Sequence, residues 1–281
     1  MIADLHIHTN ASDGRLSPQA VVAEAIQSGL SSIAITDHDT VDGLLMLAQQ
    51  GILKNEHLTI IPGIEFSTDL PNHEVHILGY NLDIFNKDLQ AQLDVLVADR
   101  LQRIKKIIAK LAQLGYLIEF QRVLELAGRS TALGRPHVAR ALVEKGYFPT
   151  VTDVFKNLLY KNGPAFVAHY KLSLSTALEL IKKADGIPVL AHPGLIGDDS
   201  IVVDIIRAGI FGLEVFHPKH QAEEVEKYQR LASQYGLLVT GGSDFHAIPT
   251  RFPEHLGIFS VDNQLAQKLI IGSFDRLTLR S

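Results

Sequence analysis

The stretch Met1-Ile2-Ala3-Asp4-Leu5-His6-Ile7-His8 joins a short apolar run to two histidines two positions apart. Residues two apart on a strand project to the same face, so His6 and His8 can share one ion. The same ending recurs along the chain. Residues 32–36 lead into Asp37-His38-Asp39, and Ile60-Ile61-Pro62-Gly63-Ile64 leads into Glu65. His76 lies in the run His73–Tyr80, His192 follows Val189-Leu190-Ala191, and His217 follows Leu213-Glu214-Val215-Phe216. The run 237–240 precedes Gly242-Ser243-Asp244-Phe245-His246. Helical patterns separate most of these runs. Ser17, Pro18 and Gly29 have the chemistry of N-cap, first helical residue and stop. Further helices are predicted over 43–50, 174–184, 201–208 and 223–234. Short apolar strands alternating with helices specify an α/β protein with a parallel sheet and crossovers, closed as a barrel or left open. In both, the carboxyl ends of the strands form one rim where ligands bind.

The length of 281 residues suits one large domain or two small ones, and 46% hydrophobic content supports a sizeable core. Cysteine is absent, which excludes disulfides, thiolate zinc sites, cysteine-ligated iron–sulfur clusters and cysteine nucleophiles. Residues 1–20 contain no basic region followed by an apolar core, and no apolar segment is long enough to span a bilayer. A cytoplasmic protein with no membrane partner is expected, and nothing in the sequence calls for an obligate protein partner.

The stretch 81–171 breaks the alternation. It reads as one long helix over 87–114 and shorter ones over 120–127, 136–145 and 153–158. This segment has a net charge of +6, whereas the rest has −11. The division predicts an α/β body of residues 1–80 and 172–281 and a basic helical insertion over 81–171. Such a surface either attracts an anionic ligand or is simply solvated. On the long helix Leu89, Leu93, Leu96, Ile104, Ile107, Leu111 and Leu114 keep a three–four spacing, and Arg100 interrupts that stripe. A guanidinium there either meets an anion or snorkels past its neighbours to water. Arg103 is one turn on. Arg135, just before Pro136, lies at a helix N-terminus, where backbone N–H groups favour phosphate. Arg129, Ser130 and Lys161 are weaker candidates for the same task.

A core histidine satisfied by a backbone partner explains one strand end, and does not explain six. Imidazole with carboxylate suits Mn²⁺, Zn²⁺ or Fe²⁺. Taken together, Asp-x-His-x-His at Asp4–His8, Thr36-Asp37-His38-Asp39, Gly63-Ile64-Glu65, Ala191-His192-Pro193 and Gly242-Ser243-Asp244-x-His246 resemble the motifs of the polymerase-and-histidinol-phosphatase (PHP) family. The resemblance implies a metal-dependent phosphoesterase on a distorted seven-stranded (β/α) barrel with a trinuclear site. Carried onto matching positions, it implies that His6, His8, Glu65 and Asp244 hold one ion. Glu65, His76 and His192 would hold a second, and Asp13, His38 and His246 a third. Some members have His where this chain has Asp13.

Within the family the insertion resembles one branch, on Gly134-Arg135-Pro136-His137 and Asn162-Gly163-Pro164-Ala165. Its members hydrolyse the 3′-phosphate of nucleoside 3′,5′-bisphosphates through metal-activated water, and relatives trim short RNA from the 5′ end. The resemblance places Arg135 and His137 in that branch's insertion; Arg100 and Arg103 join them as substrate-binding candidates on the helix-stripe argument, while Arg129, Ser130 and Lys161 either contact such a substrate or are simply loop and surface residues. His217 either protonates the leaving oxygen or contacts the phosphate, or else caps backbone before Pro218. Asp37 and Asp39 either orient ligands or cap the next helix. Competing schemes find no support: G-x-S-x-G, the phosphate-binding G-x-x-x-x-G-K-[ST] and H-E-x-x-H are all absent. A non-catalytic module should have lost ligands, yet all nine matching positions are filled.

Overall fold

The computed structural model describes residues 1–70, 73–127, 133–168, 170, 172–249 and 251–271. Among these, eight strands form one sheet: β1 (Ile2–Ile7), β2 (Ser32–Ile35), β3 (Thr59–Leu70), β4 (His73–Tyr80), β5 (Ile187–Leu190), β6 (Gly212–Phe216), β7 (Leu238–Gly241) and β8 (Val261–Asp262). Their order is β7-β6-β5-β4-β3-β2-β1-β8. Helices α1 (Pro18–Gln27), α2 (Asp42–Gln49), α3 (Lys87–Gln113), α4 (Phe120–Ala127), α5 (Arg135–Glu144), α6 (Val151–Val154), α7 (Leu174–Lys183), α8 (Asp199–Arg207), α9 (Ala222–Tyr235) and α10 (Asn263–Ile271) fill the connections. The chain divides into two compact units, Met1–Ala91 with Lys171–Ser281 and Gln92–Tyr170.

In the first unit β1, β2 and β3 pair in parallel, as do β5, β6 and β7. The expectation of uniform crossovers fails at β4, which runs antiparallel to both β3 and β5. Only two residues separate β3 from β4, and a parallel return needs a dozen or more. This hairpin explains why His76, near the start of its strand, reaches the rim formed by the carboxyl ends of the others. The sheet nearly closes on itself there. His8 N–H donates to Phe245 O at 2.9 Å, and Phe245 N–H donates to His6 O at 3.3 Å. At the other end β8 lies antiparallel to β1, Ile2 opposite Asp262 and Ala3 opposite Val261. The barrel thus carries a two-residue strand beyond the seven expected.

An apolar cluster joins Ala3 and Leu5 of β1 to Ala34, Ile61, Leu78, Tyr80, Ile187 and Val189, with Ala266 and Leu269 of α10 packed onto it. The Ser17 side chain accepts from Ala20 N–H at 3.2 Å and caps α1, while Gly29 takes a left-handed φ of 75° beyond its end. The second unit has a core of its own. Ile104, Ile107 and Leu111 of α3 pack with Val123 of α4, Val138 and Leu142 of α5, and Leu158 and Leu159. Leu114, read as part of the same stripe, is 46% exposed because α3 has already ended. The helix predicted over 153–158 is instead α6 followed by a π-helical turn, Phe155–Leu159.

Candidate metal centre

Glu65 is buried on β3, and five imidazoles face its carboxylate. Oε2 lies 3.2 Å from His6 Nε2, 3.2 Å from His8 Nε2 and 3.1 Å from His38 Nδ1. Oε1 lies 2.9 Å from His76 Nδ1 and 3.1 Å from His192 Nε2. Asp244 Oδ1 stands 3.4 Å from His8 Nε2, 3.4 Å from His246 Nδ1 and 3.9 Å from His6 Nε2. Asp13 Oδ1 stands 3.2 Å from His246 Nε2 and 3.8 Å from His8 Nδ1. The structure therefore gathers His6, His8, Asp13, His38, Glu65, His76, His192, Asp244 and His246 into one cluster. Three overlapping groups in it have ligand atoms close enough to share a cation: His8, Asp13, His38 and His246; His6, His8 and Asp244; His38, Glu65 and His76.

These donors fit divalent cations. His6 Nε2, both ring nitrogens of His8, His38 Nδ1 and Glu65 Oε2 are buried and make no hydrogen bond. Leaving such atoms unmatched costs about 1–3 kcal/mol each, so their convergence needs a partner that accepts several lone pairs at once. Nitrogen and oxygen ligands ~2.0–2.2 Å from a divalent ion stand roughly 3–3.5 Å apart, the spacing found around Glu65.

Charge coupling is strong. Burial disfavours ionised Glu65, yet His38, His6 and His76 hold it well below the usual carboxylate range. Burial also opposes the imidazolium of His8, but the nearby carboxylates of Asp244 and Glu65 raise it to about 9. His38 goes the other way, pushed down to about 4 by burial, with His8 and His76 adding repulsion.

Backbone strain concentrates in the loops that present these groups. His192 has φ 27°, Asp39 φ 52° and Asp244 φ 53°, left-handed values that side chains with a Cβ rarely adopt. Gly242 permits the close approach of β7 to β1, since a Cβ there would collide with the backbone nitrogen and Cβ of His6. Asp37 accepts from Thr9 N–H at 2.7 Å, Thr9 Oγ1 at 2.7 Å and Ser12 Oγ at 2.5 Å, fastening the loop that carries Asp13. Asp39 Oδ1 accepts from Ser67 N–H at 3.0 Å. Neither caps α2, whose N-cap is Val41.

His217 is buried, and its Nδ1 accepts from Lys219 N–H at 3.2 Å. That bond leaves the proton of neutral His217 on Nε2, which faces Asp244 Oδ2 at 3.8 Å. Two participants escaped the sequence reading. Glu214, a lone carboxylate inside the apolar run of β6, lies 2.9 Å from His6 Nδ1. Its interruption of that run was the available signal. Arg251 Nη2 lies 2.6 Å from Asp244 Oδ2, and nothing in its local sequence marks it.

Several substrate-binding candidates lie in the second unit. Arg103 is buried and its Nε donates to Val167 O at 2.9 Å. Burial lowers it to about 10, and repulsion from Arg135 and Arg100 adds to the effect. Arg135 Nη1 donates to Leu159 O at 2.9 Å, and its guanidinium lies 5.6 Å from the Phe155 ring centroid and 5.9 Å from that of Phe166. His137 Nδ1 accepts from Gly134 N–H at 3.1 Å, a capping bond at the start of α5. Lys161 is exposed. Arg129 and Ser130 lie outside the described residues.

Known proteins supply an independent comparison. The family model of the PHP domain matches residues 4–155. The chain is 32% identical over 251 residues to the 3′,5′-nucleoside bisphosphate phosphatase of Chromobacterium violaceum, covering 87% of each. It is 34% identical to the 5′-3′ exoribonuclease Rnm of Escherichia coli, covering 88% of this chain and 85% of that one. Identity to the phosphoribosyl 1,2-cyclic phosphate 1,2-diphosphodiesterase of Eggerthella lenta is 32%, over 92% and 98%. A crystal structure from Bifidobacterium adolescentis, classed as a metal-dependent phosphoesterase, superposes with a TM-score of 0.82 at 29% identity, covering 98% of both chains.

Proposed function

This chain belongs to the PHP domain family, and from that premise we propose that it removes the 3′-phosphate of nucleoside 3′,5′-bisphosphates. It is a metal-dependent hydrolase of phosphate esters. The observation that carries this reading is the Glu65 carboxylate ringed by five imidazoles, with buried ligand atoms that lack hydrogen bonds. Three cations are proposed: one on His6, His8, Glu65 and Asp244; one on Glu65, His76 and His192; one on Asp13, His38 and His246. Mn²⁺, Zn²⁺ and Fe²⁺ all accept these ligands. Bound there, they would offset charge on the phosphoryl oxygens and lower the pKa of water from 15.7 towards ~7.

The chain's own groups do the rest. His217 offers its Nε2–H as a hydrogen-bond donor to a phosphate oxygen or to the departing O3′, and the bond from Lys219 N–H to Nδ1 holds the imidazole in that orientation. Arg100, Arg103 and Arg135 supply the positive charge for the second phosphate. The repulsion that Arg103 feels from Arg135 and Arg100 supports this role, because an anion relieves it. Remote binding of this kind selects bisphosphates over monophosphates. No helix among the described residues is long and apolar enough to cross a membrane. The cytoplasmic location expected from the sequence belongs with this proposal.

The second reading is a 5′→3′ exonuclease on short RNA, favoured by the similarity to the exoribonuclease and by the basic insertion. The test compares kcat/KM of Mn²⁺-loaded enzyme on adenosine 3′,5′-bisphosphate, short 5′-phosphorylated RNA, histidinol phosphate and a phosphoribosyl 1,2-cyclic phosphate. A preference for the first supports the proposal. Preference for RNA, with affinity falling steeply as salt rises, replaces it with the second reading. Arg135→Ala should harm turnover of the bisphosphate far more than that of an aryl phosphate; equal losses remove Arg135 from substrate recognition.

A further inference from the structure

Glu214 is fully buried on β6 and receives two different kinds of N–H group. Oε1 lies 2.9 Å from His6 Nδ1, and Oε2 accepts from the backbone N–H of His192 at 2.7 Å. Both residues also approach Glu65 through Nε2, on opposite oxygens, His6 at 3.2 Å and His192 at 3.1 Å. Their rings lie nearly parallel, 5.9 Å apart at 17°. His192 holds a strained backbone, φ 27° and ψ 60°. Strand register shifts at both ends of the link, between Asp4 and Ile7 on β1 and between Glu214 and Phe216 on β6. Such irregularities re-aim side chains at functional sites.

We propose that Glu214 is a positioning residue that fixes His6 and His192 together as ligands of two neighbouring cations. The proposal rests on the metal-centre reading above. A carboxylate only accepts hydrogen bonds, so the ring proton of His6 stays on Nδ1 and the Nε2 lone pair points towards Glu65. Its second oxygen pins the turn that aims His192. One side chain thereby sets two ligands that the proposed scheme gives to different ions, and the geometry of one is tied to that of the other. Glutamine has the same shape but only one acceptor oxygen. Its NH₂ group must face either His6 Nδ1–H or His192 N–H, and one contact becomes repulsive.

The experiment measures Mn²⁺ affinity by calorimetric titration of the full chain after chelation, for wild type, Glu214→Gln and Val215→Ala. Val215→Ala removes buried methyl groups beside Glu214 without touching a ligand. Glu214→Gln should retain the far-UV spectrum and a Tm within a few degrees of wild type when metal-free, while binding Mn²⁺ roughly 10- to 100-fold more weakly. Val215→Ala should lower Tm and leave Mn²⁺ affinity unchanged. In Zn²⁺-loaded wild type, nitrogen-15-edited NMR should find the His6 Nδ1–H proton far downfield and slow to exchange, as a hydrogen bond to a buried carboxylate requires, assigned by its loss in His6→Gln. Unchanged Mn²⁺ affinity in Glu214→Gln overturns the inference, as does a His6 Nδ1–H that shifts and exchanges like one open to water. That wild-type reading tests the contact even if Glu214→Gln fails to fold. Failure of wild type to bind Mn²⁺ would overturn the metal-centre reading instead.

Discussion

His217 separates two kinds of catalytic contribution at a single residue. Its Nδ1 is engaged by Lys219 N–H, so the donor it presents to a substrate is Nε2–H. A hydrogen-bond donor matters most when the leaving oxygen gathers strongly basic charge, as a ribose O3′ does. His217→Ala is expected to cut kcat on a nucleotide by about 10²–10³-fold, the usual span for losing one donor to a developing oxyanion. On 4-nitrophenyl phosphate, whose leaving group departs without a proton, the loss should be much smaller, with bound Mn²⁺ unchanged by elemental analysis. Equal losses on both substrates would assign His217 to phosphate binding alone. The residues that meet around Glu65 were legible because each ends an apolar run or sits within one, where a polar side chain needs a reason. Glu214 had the same mark and was passed over, since a carboxylate inside a strand points to no particular partner. Arg251 had none: its contact with Asp244 depends on how the loop after β7 folds back.

The sheet shows where element-level reading works and where it stops. Periodicity and capping chemistry place the boundaries of α1, α4, α7 and β6 within a residue or so, because Ser17, Ser173 and similar caps act locally. The direction of β4 is not local. It follows from the two-residue connection to β3, a signal available in the sequence but overridden by the surrounding alternation. β8 has two residues, too few for any period. The contact between β1 and the segment after β7 was invisible for a further reason: it depends on the missing side chain of Gly242. A Cβ there would meet the His6 backbone, which cannot move without breaking the Phe245 N–H bond to His6 O, 3.3 Å long. Gly242→Ala is therefore expected to destabilise by about 1–3 kcal/mol, as overpacking does. It should also weaken Mn²⁺ binding, because the displaced residue is a proposed ligand. Denaturant unfolding with and without Mn²⁺ measures both effects; a variant as stable as wild type would show that the strand pair can spread at no cost.

Each of the two units has its own apolar core, and they should answer different ligands. Anything that binds only the folded state stabilises it by RT ln(1 + [L]/Kd), about 2.7 kcal/mol at a hundredfold excess over Kd. All nine metal-ligand candidates belong to Met1–Ala91 and Lys171–Ser281, contributed by strands and loops far apart in sequence. Cations joining them close long loops in the folded state, so their stabilisation should be felt across that unit. Arg100, Arg103 and Arg135 belong to Gln92–Tyr170, where positive groups repel one another. Amide hydrogen exchange can read the two responses separately, because opening free energies differ between cooperative parts of one chain. Adding Mn²⁺ to chelated protein should slow exchange in β1, β3, β5 and the residues following β7, leaving α4 and α5 little changed. A non-hydrolysable bisphosphate added to the Mn²⁺-loaded protein should then slow exchange at the start of α5 and around Arg103. Protection by Mn²⁺ spread equally over both units would mean that they unfold together. No added protection from the bisphosphate near Arg103 or Arg135 would remove the second phosphate from that unit and leave the generic phosphoesterase standing without its proposed specificity.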